Sequence, residues 1–307
     1  MILMRKERYQ RLYRRLRDGQ VVILDGGFGS ELQALGFVPT LPLWSARALT
    51  ETPELVAEVH RRYLRAGAEV IITNSYRTSR RAFRKAGRET EWRKAALRAV
   101  EIACRERDSD PMARDVCVAG SLGALEGNYD PALAPDYAAA LREHGEIAKA
   151  LAEAGADLLL CETMNKIGEA RGAAEAGCRT GLPTWVAFAV RDDGCLYSGE
   201  TIAEAVAAVE PLGVQAILIN CSSLQASCRA LKELVRRATV PVGVYANLGH
   251  YEPPQWRFDP QVTPERYLQA AAEWVDVGAR IIGGCCGTRP HHIEKLAQRF
   301  RRAELQS

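Results

Sequence analysis

The sequence predicts an α/β fold: a (β/α)8 TIM barrel, single domain, with an N-terminal helix and long loops over the C-terminal face. Three observations carry that prediction. Eight short apolar runs recur along the 307 residues, and helix-like periodicity follows them. Runs buried on both faces and alternating with helices imply parallel pairing. No internal stretch reads as a linker, so the eight units belong to one barrel rather than to a doubly wound open sheet, which usually needs fewer strands and a phosphate loop after the first.

Residues 1–18 read as a basic amphipathic helix. Arg5 to Arg17 is strongly basic, but Tyr9, Leu12, Tyr13 and Leu16 fall at i, i+3, i+4 and i+7. That stripe is expected to pack on the barrel formed by residues 19–303, with the basic face solvated rather than serving as a nucleic-acid or membrane arm. The strands are expected at VVILD (21–25), EVIITN (69–74), VCVAG (116–120), DLLLCE (157–162), TWVAFAV (184–190), AILINC (216–221), VPVGVYAN (240–247) and RIIGGC (280–285). The helix after the first has Pro53 in its first turn and Gly67 as its stop. Residues 91–108 read as an extra helix inserted between the second and third strands. The segments 122–136 and 248–266 read as long loops over the carboxyl ends of the strands, where barrel active sites are built.

Composition excludes several classes. With 47% hydrophobic residues and no low-complexity tract, the chain can bury a large core. A net charge of +3, with basic and acidic residues interspersed, makes no case for nucleic acid. There is no bilayer-length apolar run and no signal-peptide pattern, so the reading is a cytoplasmic protein. Nine cysteines, an odd number, then read as buried residues, ligands or nucleophiles rather than disulfides.

The strand ends carry unusual chemistry: Asp25, Asn74, Glu162, Cys221, Asn247, Cys285 and Cys286. A barrel brings Cys221 and the Cys285–Cys286 pair to one rim. Three thiolates with one open position make a catalytic rather than a structural Zn2+ arrangement, and flanking glycines let both thiols of the pair reach one metal. On these residues alone two other readings stay open. A vicinal pair can be inert packing, and a glycine-rich turn after the last barrel strand can hold phosphate. Cys104, Cys117, Cys161, Cys178, Cys195 and Cys228 read as packing or surface residues, and His291 and His292 as the start of the last helix.

The segments LDGGFGSEL (24–32), LWSARAL (43–49), PELVAEVHRRYLRAGAEVIITNSY (53–76), AGADLLLCET (154–163), INCSS (219–223) and GARIIGGCCGTRPHHI (278–293), in this order, resemble the homocysteine S-methyltransferase family. The resemblance covers nearly the whole chain after the basic helix. It implies a zinc-dependent barrel that methylates homocysteine to methionine, with Cys221, Cys285 and Cys286 as metal ligands and the substrate sulfur entering the open position. It also implies Asp25 and Glu162 near the substrate ammonium, and the Gly27–Phe28 backbone near its carboxylate. Asn220 and Asn247 match positions near the site, where they could orient ligands or loops, and Trp44 lies in the matched LWSARAL segment, where its aromatic face could cover a cationic methyl donor.

The sequence leaves the methyl donor open. S-methylmethionine or S-adenosylmethionine is the preferred class. A folate–cobalamin route needs domains for which this chain has no room. Betaine is disfavoured because Arg77 and Thr163 stand where the betaine enzymes carry aromatic residues and a cationic Arg77 would repel a trimethylammonium, although Tyr76, Tyr245, Tyr251 or Trp256 could supply a different cage. The expected partners are small molecules, and oligomeric state is unknown. A phosphate-binding lyase or isomerase and a noncatalytic zinc barrel are the competing readings.

Overall fold

The computed structural model describes residues 2–126, 129–252, 255–259 and 261–304. Among the described residues ten strands form in chain order: β1 (Val22–Ile23), β2 (Val70–Ile72), β3 (Cys117–Gly123), β4 (Leu158–Met164), β5 (Thr184–Phe188), β6 (Ala216–Asn220), β7 (Val242–Ala246), β8 (Gly249–Glu252), β9 (Gln255–Phe258) and β10 (Ile281–Gly284). Eight of them make one parallel sheet in the order β1-β10-β7-β6-β5-β4-β3-β2. A parallel bridge between Leu24 and Val70 joins its two ends, so the sheet closes into the expected barrel. The junction is held by Glu69 N–H donating to the Ile23 carbonyl at 2.7 Å and Asp25 N–H to that of Val70 at 3.0 Å.

The outer ring consists of helices Pro53–Arg65, Trp92–Ser109, Tyr137–Ala154, Ile167–Cys178, Ile202–Val209, Leu224–Arg237, Pro264–Val277 and Pro290–Glu304, one after each barrel strand. Their starts follow local chemistry. Pro53 opens the first, Asp136 accepts from Ala139 N–H, and Thr201 with Glu204 forms a reciprocal capping box. Gly67, at φ +92°, supplies the left-handed residue that ends the first of these helices. The helix expected at 91–108 is not an insertion, since Trp92–Ser109 packs between Pro53–Arg65 and Tyr137–Ala154 as the regular helix after β2. The additional element is the short helix Arg80–Lys85.

Strand ends differ from the apolar runs for identifiable reasons. β3 continues through Ser121, Leu122 and Gly123, a stretch that reads as loop. A Cβ on Gly123 would lie 2.4 Å from the Tyr76 ring, so this glycine is there for close approach. β4 also runs past its expected end to Met164, with a register shift against β5 between Cys161 and Met164. The segment 248–266, expected as a loop, contains the antiparallel hairpin β8–β9, with Tyr251 paired to Trp256. Pro253 and Pro254 at its tip lie outside the described residues.

Burial is divided by the barrel wall. Outward-facing strand residues such as Ile23, Ile71 and Ile217 pack under the helices, whereas Val22, Leu24, Leu158, Leu160, Trp185 and Ile281 fill the interior. The helix Ile2–Arg17 closes the amino-terminal end of the interior with Tyr9, Leu12 and Leu16, all buried. Full burial of each leucine contributes about 1.5–3 kcal/mol. The polar groups at this floor are paired: Trp185 Nε1 donates to Tyr9 Oη at 3.0 Å, and Asp157 accepts from Arg8 at 2.6 Å and Arg107 at 2.9 Å. Among the described residues, no helix is long and apolar enough to cross a membrane.

Candidate active site

At the opposite end, the residues just beyond the strands converge on a cavity of about 340 Å3. Cys221 follows β6, and Cys285 and Cys286 follow β10. Their sulfurs all lie within 4.8 Å of one another, and the Cys221 and Cys286 sulfurs are 4.0 Å apart. Two thiolates on a tetrahedral zinc at about 2.3 Å stand roughly 3.8 Å apart, so these residues fit such an ion. Among the described residues this is the one cluster of three or more His, Cys, Asp or Glu side chains with metal-binding spacing. Hydrogen bonds with the Cys285 and Cys286 thiols hold the Cys221 thiol well below its ordinary range, and the same cluster pushes the other two up. His292 faces elsewhere: its Nδ1 accepts from Arg289 N–H at the start of the last helix.

The cysteine turn is clamped by its neighbours. Thr288 Oγ1 donates to the Cys285 carbonyl at 2.7 Å and accepts from Gly27 N–H at 3.0 Å. Gly287 N–H donates to Ser30 Oγ at 2.7 Å, and Tyr63 Oη lies 3.2 Å from both the Gly27 and Thr288 carbonyls. From the outside, Tyr267 Oη donates to the Gly283 carbonyl at 2.6 Å. Glycine is needed at 27 and 284, where a Cβ would approach the Cys285 carbonyl to 2.5 Å and Thr288 Oγ1 to 2.1 Å. The turn after β1 and the turn after β10 therefore form one body.

Two carboxylates face the thiols from the cavity wall. Asp25 is buried, with Oδ2 accepting from Ile72 N–H at 2.8 Å and Oδ1 without a partner. Burial, and then the nearby Glu162, push its carboxyl well above the usual range. Glu162 accepts from Ser121 Oγ and from Tyr245 Oη, and burial lifts its pKa to about 7. A buried acceptor left without a donor costs about 1–3 kcal/mol, which a cationic ligand at Asp25 Oδ1 would remove.

The remaining expected site residues fall into two groups. Trp44, Gly27 and Phe28 line the cavity, with Trp44 only half buried. Asn220 and Asn247 do not line it. The Asn220 side chain is buried behind the wall, accepting from Thr163 N–H and donating to Thr163 Oγ1, both at 3.0 Å. Asn247 is buried with its backbone N–H on the Ser222 carbonyl and its Oδ1 without a partner. Trp44, Thr163 and Cys221, at φ +51°, +61° and +49°, all line the cavity, and they are the non-glycine residues with positive φ among the described residues. Such backbone costs about 1–3 kcal/mol per residue and clusters at functional sites.

Sequence reasoning missed Tyr129, which lies in the long segment after β3 and brings its hydroxyl to 3.3 Å from Cys221 Sγ. Its ring packs on Tyr197 at 5.1 Å. The length of the 122–136 segment was the available signal. The clamp residues Tyr63, Thr288 and Ser30 were also missed, because ordinary hydroxyls in helices and turns carry no distinguishing pattern.

A parallel barrel with three convergent thiols and two buried carboxylates at the carboxyl ends of its strands defines a thiol-lined, metal-competent enzyme site. The homocysteine S-methyltransferase family model matches residues 22–300, and the chain belongs to that family of thiol methyltransferases. Homocysteine S-methyltransferase from Escherichia coli (strain K12) is 36% identical over 312 residues, covering 93% of this chain and 97% of the relative. Selenocysteine methyltransferase from Astragalus bisulcatus is 31% identical, covering 91% and 92%. The crystal structure of the homocysteine methyltransferase MmuM from Escherichia coli, metallated form, superposes with a TM-score of 0.82 at 33% identity, covering 93% of this chain and 99% of that one.

Proposed function

We propose that this enzyme transfers a methyl group from a sulfonium donor, S-methylmethionine or S-adenosylmethionine, to the thiol of homocysteine, and that Cys221, Cys285 and Cys286 hold Zn2+ for the purpose. The observation that carries the reading is the convergence of three sulfurs at a cavity whose wall also presents Asp25 and Glu162. When bound, zinc supplies a Lewis-acid centre that keeps a thiol substrate deprotonated and nucleophilic at neutral pH.

The chain's own residues do the rest. Asp25 Oδ1 and Glu162 receive the homocysteine ammonium, which matches their burial and the unpartnered oxygen. The substrate carboxylate is received by the Gly27–Phe28 turn. Gly27 N–H is already used by Thr288, so the contact falls to Phe28 N–H. Asn220 fixes the strained Thr163 beside Glu162, and Asn247 supports the turn at Ser222. Trp44 covers the donor, where an aromatic face favours a sulfonium cation. The transfer is an in-line displacement: the acceptor sulfur forms a bond to the methyl carbon while the donor's carbon–sulfur bond breaks. The leaving group is a neutral thioether and takes no proton. Alignment of the two sulfurs is therefore the main task of the wall. The selenocysteine methyltransferase relative supports a selenol as a second acceptor class.

The phosphate reading loses support from the turn itself. The N–H groups of Gly284, Cys285, Gly287 and Thr288 donate to Asp25, Ala246, Ser30 and Cys285, which leaves those four amides engaged within the protein. The test is methionine formation by reduced, zinc-loaded protein from homocysteine, with S-methylmethionine, S-adenosylmethionine, betaine and methyltetrahydrofolate supplied separately. Turnover with a sulfonium, abolished in Cys286→Ser, is the expected result. Silence with both sulfoniums despite bound zinc overturns the donor assignment.

A further inference from the structure

Resting on the metal reading above, we infer that Glu31 is a positioning residue of the metal centre. Through Arg289 it fixes the exit of the Cys285–Cys286 turn against the helix that follows β1, and so holds that pair of thiols at metal-binding distance from Cys221. The observation is a fully buried carboxylate set between guanidiniums from two different parts of the chain. Glu31 Oε2 accepts from Arg289 Nε at 2.9 Å, and Oε1 accepts from Arg62 Nη1 at 2.8 Å.

The path of the chain gives this link its meaning. Glu31 belongs to the short helix Phe28–Ala34, directly after the Gly27–Phe28 turn, and its own N–H donates to the Gly27 carbonyl at 3.0 Å. Arg289 follows the cysteine turn and precedes the last helix, which begins at Pro290. Neutral hydrogen bonds from Gly287 to Ser30 and from Gly27 to Thr288 tie the same two turns. Among the described residues, Glu31 is the one acidic partner of Arg289, whereas Arg62 has a second in Glu58 at 3.0 Å. Loss of the Glu31 charge therefore leaves Arg62 paired and takes from the chain beyond the thiols its ionic tie, a bond roughly twice as strong as a neutral one.

A buried carboxylate is costly, and for stability alone an apolar side chain often does as well. What the pair supplies is register, because a planar guanidinium fork meets a carboxylate in few orientations. Register matters at this point of the fold. Cys221 stands at the end of β6 with its N–H on the Tyr245 carbonyl at 3.2 Å, so the spacing of the three sulfurs depends on the turn that carries the other two, both only half buried. Three ligands must keep the corners of one tetrahedron for the site to hold its ion.

The experiment measures zinc affinity by competition with a chromophoric chelator under reducing conditions, for the full chain and for Glu31→Gln, Arg289→Met, Arg289→Lys and Arg62→Met. None of these leaves a buried charge unpaired: the guanidiniums are 36% and 42% exposed, and Glu31 keeps one arginine when the other is replaced. Glu31→Gln and Arg289→Met are expected to bind zinc about 10-fold more weakly, the lower end of what losing a partner outside the ligand set costs a metal site. Arg289→Lys should recover part of that loss, and excess zinc should restore turnover toward the parent rate. Arg62→Met loosens the same carboxylate from the outer helix, and is expected to lower the metal-free melting temperature with zinc affinity unchanged. Parent-like zinc affinity in Glu31→Gln and Arg289→Met, or an equal loss in Arg62→Met, overturns the role of Glu31 and leaves the metal reading in place. Zinc affinity that Cys286→Ser does not lower overturns the metal reading and this assignment together.

Discussion

The two ends of the barrel interior are built from the same strands and do opposite things with polar groups. At the floor, Asp157 is fully buried and matched by two nearly buried guanidiniums, Arg8 and Arg107, and by Val118 N–H. Glu69 is likewise matched by Arg15 and by Ile23 N–H. At the mouth, Asp25 Oδ1 and Asn247 Oδ1 are buried without partners, three thiols crowd together, and three side-chain-bearing residues hold positive φ. Unmatched groups in the one place and matched groups in the other mark where the molecule binds ligands and where it is made stable.

The sharpest way to break that contrast is a pair of substitutions, one at each end. Asp157→Ala leaves Arg8 buried without a counter-charge and Arg107 with only the exposed Asp108, and is expected to lower unfolding stability by about 3–5 kcal/mol. Its kcat and KM, measured well below the melting temperature, should match the parent. Cys286→Ser should do the reverse: if this thiol is a metal ligand, as proposed, bound metal and turnover fall more than about 100-fold, with little change in the metal-free melting curve. If Asp157→Ala lost activity at full folding, or Cys286→Ser unfolded the protein, the division between the two ends would not hold.

A smaller effect comes from Glu162, whose burial can be read through pH. The folded protein keeps this carboxyl protonated up to about pH 7, whereas an unfolded glutamate releases its proton near 4.5. Between those values the folded state binds the extra proton, so stability falls as pH rises, by about 3 kcal/mol at most across the window. Glu162→Gln should flatten that slope in denaturant titrations. Homocysteine binding should run the other way. If Glu162 receives the ammonium, as proposed, the ammonium selects the ionised form, so affinity should climb through neutral pH, and that dependence should vanish in Glu162→Gln. A homocysteine pH profile unchanged by the substitution would remove Glu162 from the ammonium site.

How much of this was legible follows from what each feature depends on. The barrel was readable because β4, β5 and β6 are continuous apolar runs whose burial on both faces is a local property of the sequence. The three thiols were readable as a group because Cys221 and Cys285 both stand at strand ends, and a parallel barrel brings all strand ends to one rim. The end of β3 was not readable, since Ser121 and Gly123 are chosen to meet Glu162 of β4 and Tyr76 of the turn beyond β2. The hairpin β8–β9 hid in a segment whose length and prolines suggested loop. Tyr129 was invisible for the same reason as the end of β3. Its role depends on where a long segment folds back, and nothing within that segment states the destination.

The finest prediction concerns Thr163, where strain and site meet. A β-branched residue at φ +61° is unfavourable, and its N–H and Oγ1 are both fixed by Asn220. Thr163→Gly relieves the backbone strain but removes the hydroxyl that Asn220 bonds and adds freedom to the unfolded chain. These contributions oppose one another, so stability is expected to change by no more than about 1 kcal/mol. Activity has no such compensation. Thr163 sits between Glu162 and Met164 at the end of β4, and a glycine there loosens the carboxylate proposed to receive the ammonium. The expected result is a several-fold rise in the homocysteine KM at nearly constant melting temperature. The opposite pattern, a loss of several kcal/mol with kinetics unchanged, would mean that the positive φ serves the fold of the β4 end and that the mouth tolerates strain without using it.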